Sequence, residues 1–269
     1  MKSHPLSVRN SVSFIITVYN RSKFLSETIK SVLRQTDPDF TLIIWDDGSL
    51  DDSIQIAKFY AKQDLRIQVI EAAHEGASIA LKDAISHTNS SYIGCIDSDD
   101  ILAPNALAET RLILDQQPEV GMVYTNYRVI DVHGNCQGMG KRCQIPYSRT
   151  RLLTDFMTFH FRLIRRIAYD AAGGTNSNLL AAIDYDMCLR LSEVTQIYHH
   201  SNILYSYRTH PNSISTEKRQ LQIDCAAQVV RQALKRRHLD SLFQLEIQAP
   251  SKFILKPFKN TSVIFRHLK

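Results

Sequence analysis

The sequence predicts an α/β fold in which a mostly parallel sheet is flanked by helices, continued by a mixed half and a C-terminal helical extension. Over the first hundred residues, short β-rich apolar runs alternate with helical patterns, which is the signature of strands joined by crossover helices. The polar clusters of that region fall where strands end. From about residue 128 the alternation weakens, and from about 216 a helical pattern gives way to a basic tail.

Strand one reads Val12 to Val18, and the helix after it places Leu25, Ile29, Val32 and Leu33 on one face at i, i+4, i+7 and i+8. Phe40 to Trp45 makes the second strand. Asp46-Asp47-Gly48-Ser49 then turns into a helix capped by Ser49, with Asp51 and Asp52 at its positive end. A third strand, Ile67 to Ile70, leads through Glu75-Gly76 into a helix over 77–86, and Tyr92 to Ile96 forms the fourth. Pro104 and Pro118 bracket the next helix, and Val120 to Tyr127 continues the sheet. Beyond it, His133-Gly134-Asn135 reads as a hairpin tip, Leu152 to Phe159 as a helix and Phe161 to Ile164 as a strand. Gly173-Gly174 closes a short helix, Asp184 opens an amphipathic one, and Ile197 to Tyr207 is the last strand of the sheet.

The 269 residues, 44% hydrophobic and 22% charged, are those of an ordinary globular chain. The five cysteines, Cys95, Cys136, Cys143, Cys188 and Cys225, include no C-x-x-C pair, which speaks against a disulfide framework or a zinc knuckle and for a reduced, cytoplasmic setting. The N-terminus has no signal-like apolar core and no run is long enough to span a bilayer, so the expectation is neither export nor a membrane span. After Glu246 come Lys252, Lys256, Lys259, Arg266 and Lys269 with no acid, and these account for the net charge of +5. A charge excess confined to a tail argues against nucleic acid as a partner. Interleaved with Phe253, Ile254, Leu255, Phe258, Val263, Ile264, Phe265 and Leu268, the same charges are suited to peripheral contact with an anionic membrane face, or to an apolar strip packed on the domain.

In an open parallel sheet, ligands bind outside the carboxyl ends of the strands. Thr17-Val18-Tyr19-Asn20, Asp46-Asp47-Gly48-Ser49 and Asp97-Ser98-Asp99-Asp100 all lie there. Three acids within four residues repel one another unless a cation screens them, and Mg²⁺ or Mn²⁺ held by one or two carboxylates with substrate phosphates answers that need. Asp-rich turns also cap helices, so it is the joint placement that carries weight. No G-x-G-x-x-G follows strand one, and Gly138-Met139-Gly140-Lys141 lacks the residues of a P-loop.

Three segments, S-F-I-I-T-V-Y-N (13–20), F-T-L-I-I-W-D-D-G-S-L-D-D-S (40–53) and Y-I-G-C-I-D-S-D-D-I-L-A-P-N (92–105), resemble family 2 glycosyltransferases, and the likeness extends over about 11–215. It implies a GT-A type, Rossmann-like domain over 1–215, with a nucleotide-sugar half (about 11–127) and an acceptor half (128–215), and a C-terminal helix and basic tail over 216–269. It also implies inverting transfer from a nucleotide sugar, most simply a UDP-sugar, to a saccharide or lipid-linked acceptor. Thr17, Tyr19, Asn20 and Asp47 would line the nucleoside pocket, with Asp47 accepting a uracil N–H. Asp97 and Asp99 would support the ribose and diphosphate, and Asp100, with Asp99 and His210, would hold Mn²⁺ or Mg²⁺.

F-M-T-F-H-F-R-L-I-R-R (156–166) and A-I-D-Y-D-M-C-L-R-L (182–191) resemble the acceptor and catalytic segments, which makes Asp184 the general base and places His160 in the acceptor cleft. Read from the residues alone, Asp184 is a helix N-cap, and it is the resemblance that favours the base. Tyr207-Arg208-Thr209-His210-Pro211-Asn212-Ser213 resembles the segment closing over the diphosphate, with Arg208 neutralising its charge. The chain departs from the family at Ile183, where an acid usually precedes the base, and at Lys82. These departures keep open a nucleotide-sugar-binding subunit with weakened catalysis, and the acidic strand end alone also suits a metal-dependent nucleotidyltransferase.

Overall fold

The computed structural model describes residues 11–210, 219–248 and 252–258. In chain order the elements are β1 (Val12–Val18), α1 (Ser22–Leu33), β2 (Thr41–Asp47), α2 (Ser53–Ala61), β3 (Ile67–Ala72), α3 (Ala77–Ser86), β4 (Tyr92–Cys95), β5 (Ile101–Leu102) and α4 (Ala106–Gln116). There follow β6 (Val120–Ile130), β7 (Cys136–Met139), β8 (Arg162–Arg165), α5 (Arg166–Ala171), α6 (Ile183–Val194), β9 (Gln196–Arg208), α7 (Arg219–Arg236), β10 (Phe243–Gln248) and β11 (Lys252–Pro257).

The main sheet runs β3-β2-β1-β4-β8-β6-β9-β5, with β7 added on β6. β3, β2, β1 and β4 are mutually parallel, β8 runs antiparallel to both β4 and β6, and β9 lies parallel to β6. The alternation read from the sequence is thus a continuous parallel block, and the mixed half begins where β8 inserts.

Side chains alternate across β1 because successive strand residues face opposite ways. Phe14 and Ile16 join Leu25, Ile29 and Val32 of α1 and Leu107 and Leu114 of α4 on one face. Ile15 faces the other, with Ala80 and Ala84 of α3, Tyr169 of α5 and Leu189 of α6. Both faces are therefore covered, as a parallel block requires. Each buried aliphatic side chain contributes about 1.5–3 kcal/mol to that arrangement.

Several local expectations change. α2 is opened by Asp51, whose Oδ1 accepts the N–H of Ser53 (3.0 Å), while the Ser49 hydroxyl is occupied with the N–H of Asn20 (3.0 Å). The helix expected over 152–159 reduces to a single 3₁₀ turn at Arg151–Leu153. Beyond that turn the side chains are claimed from different directions. Met157 is buried in the core, Phe156 lies against Tyr185, and Phe159 against Tyr127 and Tyr207. No single helical face could satisfy all three, so tertiary packing overrides the local pattern.

The extension is more ordered than a tail. α7 sends Ala227, Val230 and Leu234 into the core face that also holds α6, and Leu245 and Phe253 of a β10–β11 hairpin join the same cluster. The membrane-surface expectation rested partly on Val263, Ile264, Phe265, Leu268, Lys259, Arg266 and Lys269, which lie outside the described residues. Among the described residues, no helix is long and apolar enough to cross a membrane.

Candidate active site

The register of the parallel block decides which loops meet. Val18 pairs with Asp46 and Ile15 with Cys95, so the loops after β1, β2 and β4 emerge side by side at one edge. There Tyr19 stacks on His74 with ring centroids 3.9 Å apart and 18° between planes. Asn20 takes a left-handed conformation (φ 53°), and its Oδ1 accepts the N–H of Leu50 (2.8 Å), locking the β1 loop to the β2 loop.

Asp47 is buried and already engaged. Its two oxygens accept the N–H groups of Glu75 (2.9 Å) and Gly76 (3.0 Å) at the start of α3, and His74 Nδ1 lies 2.9 Å from Oδ2. The carboxylate thus ties β2 to α3, and only its remaining lone pairs face a ligand. His74 was not singled out from the sequence. A histidine in a loop carries no periodic signal, and its stacking partner lies more than fifty residues away.

The acids after β4 divide by burial. Asp97 is half-exposed, and its Oδ2 lies 3.2 Å from His160 Nε2, while its backbone N–H donates to the Tyr205 hydroxyl (3.1 Å). Burial opposes its ionisation, but His160, Arg162 and Arg21 outweigh that and hold its carboxyl below the usual range. Asp99 faces the cleft with Oδ2 between Arg21 Nε (3.3 Å) and His210 Nε2 (2.9 Å).

Asp100, the expected metal ligand, lies deeper than its neighbours. Its side chain has no solvent exposure, and Oδ1 accepts the N–H of Arg208 at 2.7 Å. Burial, with the charges of Asp99 and Asp97, pushes its carboxyl well above the usual range. Its Oδ2 is buried without a hydrogen-bond partner.

Arg208, expected to meet the diphosphate, is also drawn inward. Its guanidinium is buried, donating to the carbonyls of Asp99 (2.8 Å), Asp131 (3.2 Å) and Val132 (3.4 Å) and pairing with Glu27. It therefore clamps the end of β9 to the acidic loop. Pro211, Asn212 and Ser213 of the same segment lie outside the described residues.

On the opposite wall Asp184 stands in the first turn of α6 with about a third of its side chain exposed. Ala182, in a left-handed conformation (φ 57°), occupies the cap position instead. Asp184 is therefore not the cap residue; its Oδ1 accepts the N–H of Tyr185 (2.9 Å) and its Oδ2 lies 3.4 Å from both Nη1 and Nη2 of Arg162. Beside it is a small apolar cavity of about 40 Å³, lined by Leu81, Ile85, Cys95, Ile183 and Met187 among others. Ile183 thus presents apolar surface at the cavity wall. Two residues on, Asp186 is buried against Arg190, which also donates to the carbonyls of Ala172 and Gly174 and so braces the loop leading into α6. His160 lies on the Asp97 side of this wall.

Acids at parallel strand ends, facing a carboxylate from the mixed half, are the framework of a GT-A glycosyltransferase, and the comparisons agree. The model of glycosyl transferase family 2 matches residues 13–173, so the chain belongs to that family and is a glycosyltransferase. Chondroitin synthase of Escherichia coli is 35% identical over 228 residues, covering 84% of this chain and 33% of that protein. Hyaluronan synthase of Pasteurella multocida is 30% identical over 225 residues, covering 84% and 23%. The chain thus spans a third or less of the length of these relatives. Among solved structures, S. aureus TarS 1-349 in complex with UDP-GlcNAc superposes with a TM-score of 0.67 at 16% identity, covering 86% of this chain and 70% of that one. Mannosyltransferase PcManGT from Pyrobaculum calidifontis, in complex with GDP-Man and Mn²⁺, gives 0.63 at 15%, covering 86% and 65%. At these identities the structures establish the GT-A fold.

Proposed function

We propose that the chain transfers a sugar, with inversion, from a nucleotide sugar of the UDP type to a hydroxyl of a saccharide or lipid-linked acceptor. The observation that carries this reading is Asp184, a partly exposed carboxylate at the start of α6 that is joined through Arg162 and His160 to Asp97. The named ligands of TarS and PcManGT, both nucleotide sugars, support the donor class.

In this reading Tyr19 and His74 offer the base an aromatic edge, with Thr17, Asn20 and Asp47 shaping the loop around it, and Asp97 meets the ribose. Among the described residues no three acidic, cysteine or histidine side chains converge as a ready-made metal cage. Asp99 and His210, 2.9 Å apart, supply two donors, which is sufficient for a hard divalent ion completing its shell with diphosphate oxygens and water. Mn²⁺ or Mg²⁺ so placed would neutralise charge on the leaving diphosphate. Arg21, at hydrogen-bond distance from Asp99, adds a fixed positive charge on the same side.

Asp184 takes the proton of the acceptor hydroxyl while that oxygen bonds to the anomeric carbon. The bond from that carbon to the diphosphate breaks on the opposite face, its electron pair leaving with the nucleotide. Such a base must reach the hydroxyl, and the Arg162 contact fixes where its carboxylate stands. The test is Asp184→Asn, assayed for transfer and, separately, for UDP binding by calorimetry. Lost transfer with retained binding is expected, and normal turnover would remove Asp184 from the role.

A further inference from the structure

We infer that His160 and Arg162 are positioning residues that tie Asp97, on the donor side, to Asp184, on the acceptor side, through one buried chain of hydrogen bonds; this rests on the reading of Asp184 as the base. Arg162 Nη2 lies 3.3 Å from His160 Nδ1. A guanidinium only donates, so Nδ1 accepts from it and Nε2 carries the proton that faces Asp97. That proton points at Asp97 Oδ2, 3.2 Å away. The arginine therefore selects the histidine tautomer that holds Asp97, while the same two terminal nitrogens reach Asp184 Oδ2 at 3.4 Å.

The middle of the chain is dry and its ends are wet. His160 and Arg162 are buried, whereas Asp97 is about half exposed and Asp184 about a third. The middle is also held firmly. The imidazole stacks on Tyr205 (4.9 Å, 17°), whose hydroxyl accepts the N–H of Asp97, and Arg162 Nη1 donates to the carbonyl of Thr158 at 3.0 Å. A buried charge adds little stability that well-packed apolar residues could not match, so a purely structural role is a poor account of this pair. Joining two exposed carboxylates across a cleft fixes their separation and orientation, which positions donor and acceptor for in-line attack.

Two isosteres divide the chain at its centre. In His160→Gln the amide nitrogen stands where Nε2 was, so Asp97 keeps its donor and Arg162 loses its acceptor. In His160→Asn the amide oxygen stands where Nδ1 was, so Arg162 keeps its acceptor and Asp97 is released. His160→Gln is expected to lower kcat about tenfold or more with UDP affinity within about twofold, and His160→Asn to weaken donor binding about tenfold with a smaller effect on kcat. If both variants depress kcat and donor affinity in the same ratio, or neither changes them, the inference is wrong. Should either variant fail to fold, Arg162→Lys keeps the buried charge without the fork; it is expected to lower kcat alone, and equal losses in both parameters overturn the proposal. Asp184→Asn assayed in parallel separates the two readings. Its full activity would sink the base assignment, while the effect of His160→Asn on donor affinity still tests the Asp97 arm.

Discussion

β1, β2 and β4 deliver Tyr19, Asp47 and Asp97 to the cleft from three adjacent parallel strand ends, whereas His160, Arg162 and Asp184 arrive from an irregular segment, an antiparallel strand and a helix start. In the first region backbone register places the side chains, and hydrogen bonds between neighbouring loops tune them. In the second the side chains place one another, through a chain of contacts among buried polar groups. The first design tolerates the loss of a contact, and the second depends on each link.

The largest effect that would sharpen this contrast is expected at Asp184, where Asn lowers transfer about 10²- to 10⁴-fold, the range for losing a general base, with UDP affinity unchanged. Next comes the acidic loop. Asp99→Asn is expected to raise the Mn²⁺ concentration for half-maximal activity by about tenfold or more, because it removes one of two protein donors to the ion. An unchanged metal requirement would return the ligand role to Asp97 or Asp100. Arg208→Met is expected to cost about 3 kcal/mol in denaturant unfolding, since several carbonyls lose a charged donor at once. A loss confined to donor KM, with stability intact, would restore Arg208 as a substrate contact.

The smallest effect is expected at Asp100. A buried acid whose folded pKa is raised binds more protons in the native than in the unfolded state. Its stability contribution therefore falls as pH rises from the ordinary carboxylate range toward the raised value. Asn keeps the acceptor for the Arg208 N–H and removes that penalty, so Asp100→Asn is expected to stabilise by about 1 kcal/mol at pH 8 and by less at pH 5. A thermal melt at the two pH values checks the sign, and a pH-independent loss of stability would show that the charge is needed.

The same contrast explains what could be read from the chain. Strand ends with polar clusters are a local signal, so the parallel block and the cluster positions were legible in the order of residues. Burial within a cluster is not local. Asp99 and Asp100 are chemically identical neighbours, and the backbone N–H of Arg208, 108 residues away, is among the contacts that hold one inward. His74 and Arg162 escaped for a related reason, because their partners are set by loop approach and by β8 inserting between β4 and β6. The 155–159 segment misled because its apolar residues fit a helical spacing while three separate aromatic and core neighbours claim them. The β10–β11 hairpin was hidden beneath the basic charges of its strands.

The grip of the C-terminal region on α6 carries one more consequence. Glu193, near the end of that helix, is held by both Arg236 and Arg237, and Arg237 also donates to the Leu189 carbonyl and the Ser192 hydroxyl. The helix whose first turn presents Asp184 is thus anchored at its far end by residues beyond 215. Anyone excising this domain for grafting into another protein should cut after the hairpin, since a cut at 215 would keep the blade and discard the handle.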